Sequence, residues 1–393
     1  MSQNFHYRND ILDTWRFQSV LTPSLTLTRE MFRDNQDLEF DALEPRESFL
    51  TRRAPFMKWT PTSSNSIKET EEEFLRNLNT PSEGFYVNIG DVRGSPCKIW
   101  TRVYNSSSDT PTSLRLNPPI VLLHGFAAGS ALWALNIDYL CSRNQTVLTL
   151  DLPGFARSSR CKFSSNGEKA EEEFVECLER WRLKVGLEKM ILVGHSFGGY
   201  LSLCYALKHD ETLHQLVLVD PWGMTERSPE ESQWLRERPL GLKLAWAALI
   251  KPYNPLWVLR VSGPAGPRLA SRLRPDLANR FFPLLGEEKV QVVLQYLYHC
   301  NAQPPTGESA FKRLSDNLAW AKQPLVTRLH RLSSQLKVTI IYGSNSWISP
   351  KLTETEVGAN ISIITIQDAT HHVYADQFEA FNEILIKLVE NGA

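Results

Sequence analysis

No run of about 18 apolar residues occurs in this 393-residue chain, so no segment is expected to cross a bilayer as a helix. Charge of one sign is lacking as well: 43 Lys and Arg stand against 44 Asp and Glu, a formal net charge of −1. Binding along a phosphate backbone needs a basic surface, so nucleic acid is not an expected partner. The start, MSQNFHYRNDILDTW, has no basic stretch leading into an apolar one, and its acidic residues do not suit a transit peptide. No secretory or mitochondrial leader is expected. The six cysteines, Cys97, Cys141, Cys161, Cys177, Cys204 and Cys300, lack CxxC spacing, and four fall in apolar or periodic segments. They are expected as buried, reduced thiols in a cytoplasmic protein. No metal, cofactor, internal repeat or low-complexity tract is expected either.

Tryptophan, by contrast, is plentiful at 11 residues. Its ring is apolar with one polar edge and favours boundaries between wet and oily phases, so peripheral attachment to a membrane or lipid droplet stays open. Residues 1–55 mix charges with isolated aromatics and are expected to form an extension outside the core. Residues 56–393 are expected to form one catalytic domain. Ile67, Phe74, Leu75 and Leu78 recur at helical spacing and predict an amphipathic helix. Lys98–Tyr104 alternates as a strand does.

Downstream, short apolar runs alternate with turns and helical stretches: Pro119–Leu123, Thr146–Leu150, Met190–Val193, Leu216–Val219, Val338–Tyr342 and Ile361–Ile366. Continuous rather than alternating runs are the mark of strands covered on both faces. They predict an α/β class with a central, mostly parallel sheet and helices on both sides. Between Asp220 and Lys337 this rhythm stops, and helical sequence such as Leu240–Ile250 takes its place. A helical cap inserted over about 223–336 is expected.

The chemistry centres on Gly194-His-Ser-Phe-Gly198, which follows an apolar strand and precedes a helical run. A sharp strand-to-helix bend of this kind presents Ser196 Oγ as a nucleophile, with a helix N-terminus behind it to favour negative charge. His195 beside it is expected to give support from below. His124-Gly-Phe-Ala-Ala-Gly129 follows the first buried strand, where oxyanion donors belong, and the backbone N–H groups of Phe126 and Phe197 are the expected pair. The pair His371-His372 follows the last strand, where a general base is needed.

The acid is harder to find. The segment after Val338–Tyr342 reads Gly343-Ser-Asn-Ser-Trp-Ile-Ser-Pro350 and holds no carboxylate before Glu354 and Glu356. Asp220, at the end of the preceding strand, is the remaining candidate, with a structural turn carboxylate as its other reading. Asn345 is a neutral alternative that would hold the ring by hydrogen bonding alone.

Together these motifs resemble the α/β-hydrolase fold, and within it the domain-containing proteins four and five, a lysophospholipase and lipase-coactivator branch. The resemblance runs from about Trp59 to the C-terminus. It is carried by Trp59-Thr-Pro-Thr-Ser, Leu132-Trp-Ala-Leu-Asn, Asp151-Leu-Pro-Gly-Phe-Ala-Arg-Ser-Ser, Asp220-Pro-Trp-Gly, Tyr298-His-Cys-Asn-Ala-Gln and His372-Val-Tyr-Ala-Asp-Gln. It implies His371 as the base, opening an H-x4-D pattern with Asp376 that has been associated with acyl transfer to lysophosphatidate. Ser196 aligns the chain with the lysophospholipase member. Ser349 stands where both members carry an aspartate.

The resemblance thus implies a serine hydrolase that cleaves the acyl ester of a lysophospholipid or N-acyl phospholipid. Cap arginines Arg260, Arg272 and Arg274 are candidates to meet a head-group phosphate. A weakly active or non-catalytic coactivator of a triglyceride lipase at lipid droplets is the alternative, and lysophosphatidate acyl transfer a third.

Overall fold

The computed structural model describes residues 35–40, 62–105, 118–226, 254–273, 275–316, 319–348 and 358–391. Nine strands of these residues form one sheet, which we label β1 (Leu38–Phe40), β2 (Ser82–Val92), β3 (Ser95–Tyr104), β4 (Ile120–Leu123), β5 (Val147–Leu150), β6 (Met190–His195), β7 (Leu213–Val219), β8 (Lys337–Gly343) and β9 (Ile361–Ile366). Their order across the sheet is β1-β2-β3-β5-β4-β6-β7-β8-β9. From β5 to β9 every pairing is parallel, and β1, β2 and β3 add an antiparallel flank.

Alternate residues of the same strand feed two separate cores, which is why the parallel strands read as unbroken apolar runs. Val121 and Leu123 of β4 join the cluster holding Phe174, Leu178, Leu201 and Leu203. Ile120 and Leu122 join the opposite one, with Ile137, Leu140, Val293, Phe381 and Leu385. Helices α1 (Ser64–Leu75), α2 (Ala134–Ser142), α3 (Gly167–Val185) and α4 (Phe197–His209) precede β7. Local chemistry delimits them. Ser63 Oγ accepts from the Ser66 N–H at the start of α1, Asn166 does the same for Lys169 on α3, and Gly186 ends α3 at φ 80.

Between β7 and β8 lie α5 (Trp257–Val261), α6 (Gly266–Leu273), α7 (Pro275–Arg280), α8 (Phe282–Lys289), α9 (Gln291–Asn301) and α10 (Thr306–Leu314). Helices α11 (Val373–Asp376) and α12 (Phe378–Glu390) close the chain. The helices between β7 and β8 are tied into both cores, Val293 and Leu294 into one and Phe311 and Leu314 into the other.

Three differences from the sequence-based expectation stand out. Residues 38–40, expected outside the core, pair with β2 and bury Leu38, because β2 otherwise offers an open edge. Strand β2 itself went unread, although Phe85, Val87 and Ile89 alternate with polar neighbours and are all buried. Strand β9, expected to be covered on both faces, is the sheet's other edge and leaves Ile363 exposed. The run Leu240–Ile250, Trp59, Arg274, Ser349, Glu354 and Glu356 lie outside the described residues. Among the described residues no helix is long and apolar enough to cross a membrane.

Candidate active site

Strand β6 runs into Ser196, whose backbone sits at φ 53, ψ −115 before α4 begins at Phe197. A side chain in this region is strained, and its surroundings enforce it. Ser196 N–H donates to Val219 O at 3.0 Å, while its carbonyl accepts from the N–H groups of Tyr200 and Trp222 at 3.0 Å each. The two flanking glycines are steric requirements. A Cβ on Gly194 would lie 2.5 Å from Gly198 O, and one on Gly198 would lie 2.6 Å from His124 O.

His371 comes from the loop between β9 and α11. Its Nε2 lies 3.0 Å from Ser196 Oγ and its Nδ1 2.6 Å from Asp220 Oδ2. An ionised carboxylate only accepts, so the Nδ1 proton belongs to the bond with Asp220 and the Nε2 lone pair faces the serine. Asp220 follows β7 at φ 44, fully buried, with its N–H donated to Ile341 O at 2.8 Å. Burial pushes its carboxyl up to about 7, while the Ser346 hydroxyl and the Gly343 amide pull the other way and Asp376 adds repulsion.

The loop that holds His371 is built from several directions. Buried His195 makes a 2.9 Å bond from Nε2 to His371 O, and burial followed by the neighbouring His371 holds its imidazole well below the usual range. It is therefore neutral and donates from Nε2, supporting the loop from below as the sequence suggests. Asp376 accepts from Thr370 N–H at 2.8 Å, from Thr370 Oγ1 at 2.5 Å and from Arg280 Nε. Its carboxylate is thus taken up in shaping the turn before His371. The neighbouring His372 accepts at its carbonyl from Ala375 and Asp376, both at 2.8 Å, and starts α11.

On the opposite side of Ser196 lies the loop after β4. His124, buried, makes a 2.8 Å bond from Nδ1 to Gly125 O and accepts the Leu152 N–H on Nε2 at 3.0 Å. That pairing requires the proton on Nδ1, and burial keeps the ring neutral by lowering its pKa to about 4. Gly125 is pressed against the elbow: a Cβ there would lie 3.0 Å from that of Ser196. Phe126 follows, then Ala127 at φ 58, whose carbonyl accepts from Asn301 Nδ2 of α9 at 2.8 Å. Phe197 is the first residue of α4, so its N–H is one that the helix leaves free of an internal partner.

The space around these groups is aromatic. The Phe126 ring stacks on Phe311 of α10 with centroids 4.2 Å apart. Phe197 and Trp222 pack against Phe311 at 5.0 and 4.7 Å, and Phe155 meets Phe126 at 6.2 Å. Trp347 is 65% exposed and lies 5.5 Å from the His371 ring.

The structure therefore brings Ser196, His371 and Asp220 into one hydrogen-bonded series with the Phe126 loop beside it. Asn345 holds only backbone: its N–H donates to Ala369 O at 2.9 Å, and the His371 ring is met by Asp220 instead. Arg260, a phosphate candidate, is already engaged by Glu308 at 2.8 Å and by Asn301 O at 2.9 Å, because a half-buried guanidinium must be satisfied locally. Arg272 is exposed at the end of α6. Two residues escaped the sequence reading, Ser346 beside Asp220 and Asn301 on the Phe126 loop. Ser346 carries no local signal beyond being a polar residue after β8, and Asn301, inside the 298–303 stretch of the resemblance, carries none that points to the Phe126 loop.

A parallel sheet with a strained serine after β6 and a histidine after the last strand defines a protein of the α/β-hydrolase class. Comparison with known proteins agrees. The family described as alpha/beta hydrolase fold matches residues 118–377. A (lyso)-N-acylphosphatidylethanolamine lipase of Mus musculus is 39% identical over 333 residues, 82% of this chain and 91% of that protein. The 1-acylglycerol-3-phosphate O-acyltransferase ABHD5 of Homo sapiens is 39% identical over 326 residues, 82% and 89% of the two chains. Among solved structures, a putative lipase from Acinetobacter baumannii shares the fold with a TM-score of 0.56 at 17% identity, over 84% of this chain and 97% of its own. The chain belongs to the α/β-hydrolase family, in the branch that holds the N-acylphosphatidylethanolamine lipase and ABHD5.

Proposed function

We propose that this protein is a serine hydrolase that cleaves the acyl ester of a lysophospholipid or N-acyl phospholipid. The observation that carries the reading is the unbroken series from Ser196 Oγ through His371 to Asp220, at 3.0 and 2.6 Å. Ser196 attacks the ester carbonyl and gives its proton to His371 Nε2. Asp220 stabilises the imidazolium, and the Phe126 and Phe197 amides receive the negative charge on the carbonyl oxygen. The tetrahedral adduct then expels the glycerol-side alkoxide, which takes the proton from His371. Water, deprotonated by the same ring, releases the fatty acid and restores Ser196.

The aromatic surround of Phe126, Phe155, Phe197, Trp222 and Phe311 suits an acyl chain, and the name of the mouse relative supplies the lipid class. A coactivator without chemistry draws support from the lack of a carboxylate in residues 344–350 directly after β8, but Asp220 offers one to the ring. Acyl transfer through an H-x4-D pattern is less favoured, since the Asp376 carboxylate is spent on Thr370 and Arg280.

A fluorophosphonate probe tests the reading directly. It should label Ser196 in the folded protein, lose all labelling in Ser196→Ala, and be displaced by lysophospholipid in mixed micelles. Absence of labelling in the wild-type protein would overturn the hydrolase reading.

A further inference from the structure

Asp220 has a second neighbour, contributed by a turn that carries no recognised motif. Ser346 lies just after β8, where the sequence offers no acid, and its hydroxyl donates to Asp220 Oδ2. This is the same oxygen that His371 Nδ1 meets at 2.6 Å. Ser346 Oγ also receives the Ile348 N–H at 3.3 Å, which leaves its single proton for the carboxylate. The turn is stapled to the loop that ends in His371. Ser344 N–H donates to Ile366 O and Asn345 N–H to Ala369 O, both at 2.9 Å, and Ser344 Oγ accepts the Asp368 N–H at 2.9 Å. Brace and base thus sit on one hydrogen-bonded piece of backbone.

We propose that Ser346 is a positioning residue for the acid of the site: its hydroxyl, donated to the oxygen that His371 Nδ1 meets, holds the Asp220 carboxylate aimed at that ring. This rests on the reading of Ser196, His371 and Asp220 as a catalytic relay. The groups that face Asp220 are His371 from the loop before α11, Asp376 from α11 and Tyr342 from β8, with His195 of β6 behind His371. None is a fixed cation, and no Lys or Arg is ion-paired to Asp220 among the described residues. Burial acts to protonate the carboxyl, and the donors that oppose it are the Ser346 hydroxyl and the Gly343 amide. Losing one hydrogen bond to a charged acceptor raises that acceptor's pKa by roughly one unit. A protonated Asp220 no longer stabilises the imidazolium.

The experiment is a pH–rate profile of the full chain with p-nitrophenyl butanoate, comparing wild type, Ser346→Ala and Ser346→Thr. Ser346→Ala should lose about fivefold in kcat at pH 7 with little change in KM, and its acid limb should move up by roughly one pH unit. The rate should recover at alkaline pH, and Ser346→Thr should behave as wild type. In parallel, the downfield proton resonance of His371 Nδ1–H, followed by NMR against pH, should show the same upward displacement. Superimposable limbs and resonances would overturn the proposal, as would a uniform loss at every pH that threonine does not rescue. If the wild-type protein neither hydrolyses the ester nor takes the fluorophosphonate label, the hydrolase reading falls, while the NMR displacement still decides the role of Ser346.

Discussion

Glu71 and Asp220 are both fully buried carboxylates, yet their surroundings drive them in opposite directions. Burial raises the Glu71 pKa, but Arg157 and then Arg102 outweigh it and hold the group below the usual carboxylate range. Arg157 reaches it at 2.5 Å, Arg102 at 3.3 Å, and the Trp100 indole donates at 3.0 Å. Asp220 is also buried and, among the described residues, receives a histidine ring, a hydroxyl and an amide, so burial wins and its carboxyl stands at about 7. The first arrangement locks α1 to the sheet. The second leaves a carboxylate whose ionisation is worth most when a positive charge appears on His371, as the proposed reaction requires. The structural carboxylate is countered by cations in the ground state, and the one proposed to act in catalysis is left partly unsatisfied.

The largest expected effect falls on the working group. Asp220→Asn should lower kcat by about four orders of magnitude, the scale seen when the orienting acid of a serine triad is neutralised. The Tm should rise by a few degrees, because an ionised carboxylate with a raised pKa weakens the folded state. Steady-state kinetics beside calorimetry would check both, and a falling Tm would break the contrast.

Next comes the structural group. Glu71→Ala leaves Arg157 and Arg102 buried without a counter-charge and should cost about 3–5 kcal/mol of stability, measured by urea unfolding. Here the protein that remains folded should keep most of its kcat, the reverse of Asp220→Asn.

The smallest effect is a separation in pH. The folded pKa of Asp220 lies above that of an unfolded aspartate, so its penalty on stability is present above about 7 and relieved as pH falls toward 4. Glu71 is shifted downward, so its contribution is full above the ordinary glutamate range and is lost only as pH drops through its lower folded value. Lowering the pH from 7 to 6 should therefore cut kcat/KM severalfold to tenfold with no loss in Tm. Coincident loss of activity and fold would remove the distinction between the two carboxylates.

Much of the candidate site was legible because the proposed acyl-transfer chemistry calls for residues that leave local marks. The two glycines around Ser196 are required by contacts with Ser202, Gly198 and His124, so the pentapeptide announces its own bend. The pair His371-His372 was readable from its place after the last strand, and the family resemblance singled out His371. Glu71 was readable in principle, since it lies four residues after buried Ile67 and three before buried Phe74 on the face that packs inward. The roles of Ser346 and Asn301 were not, because their partners are 126 and 174 residues away in the chain. Asp220 fell between these cases: its position after β7 was visible, but whether its carboxyl reached His371 depended on the separation of two loops.

The sequence by itself determined the parallel strands, the bend at Ser196, the glycine-bearing loop after β4 and the order of serine before histidine, because these follow from hydrophobic periodicity and from the sterics of glycine. Only the tertiary structure decided which acid meets the base, what braces that acid and which arginines are already engaged. Those outcomes depend on distances between segments far apart in the chain, and on whether a buried charge finds a cation or a neutral donor beside it.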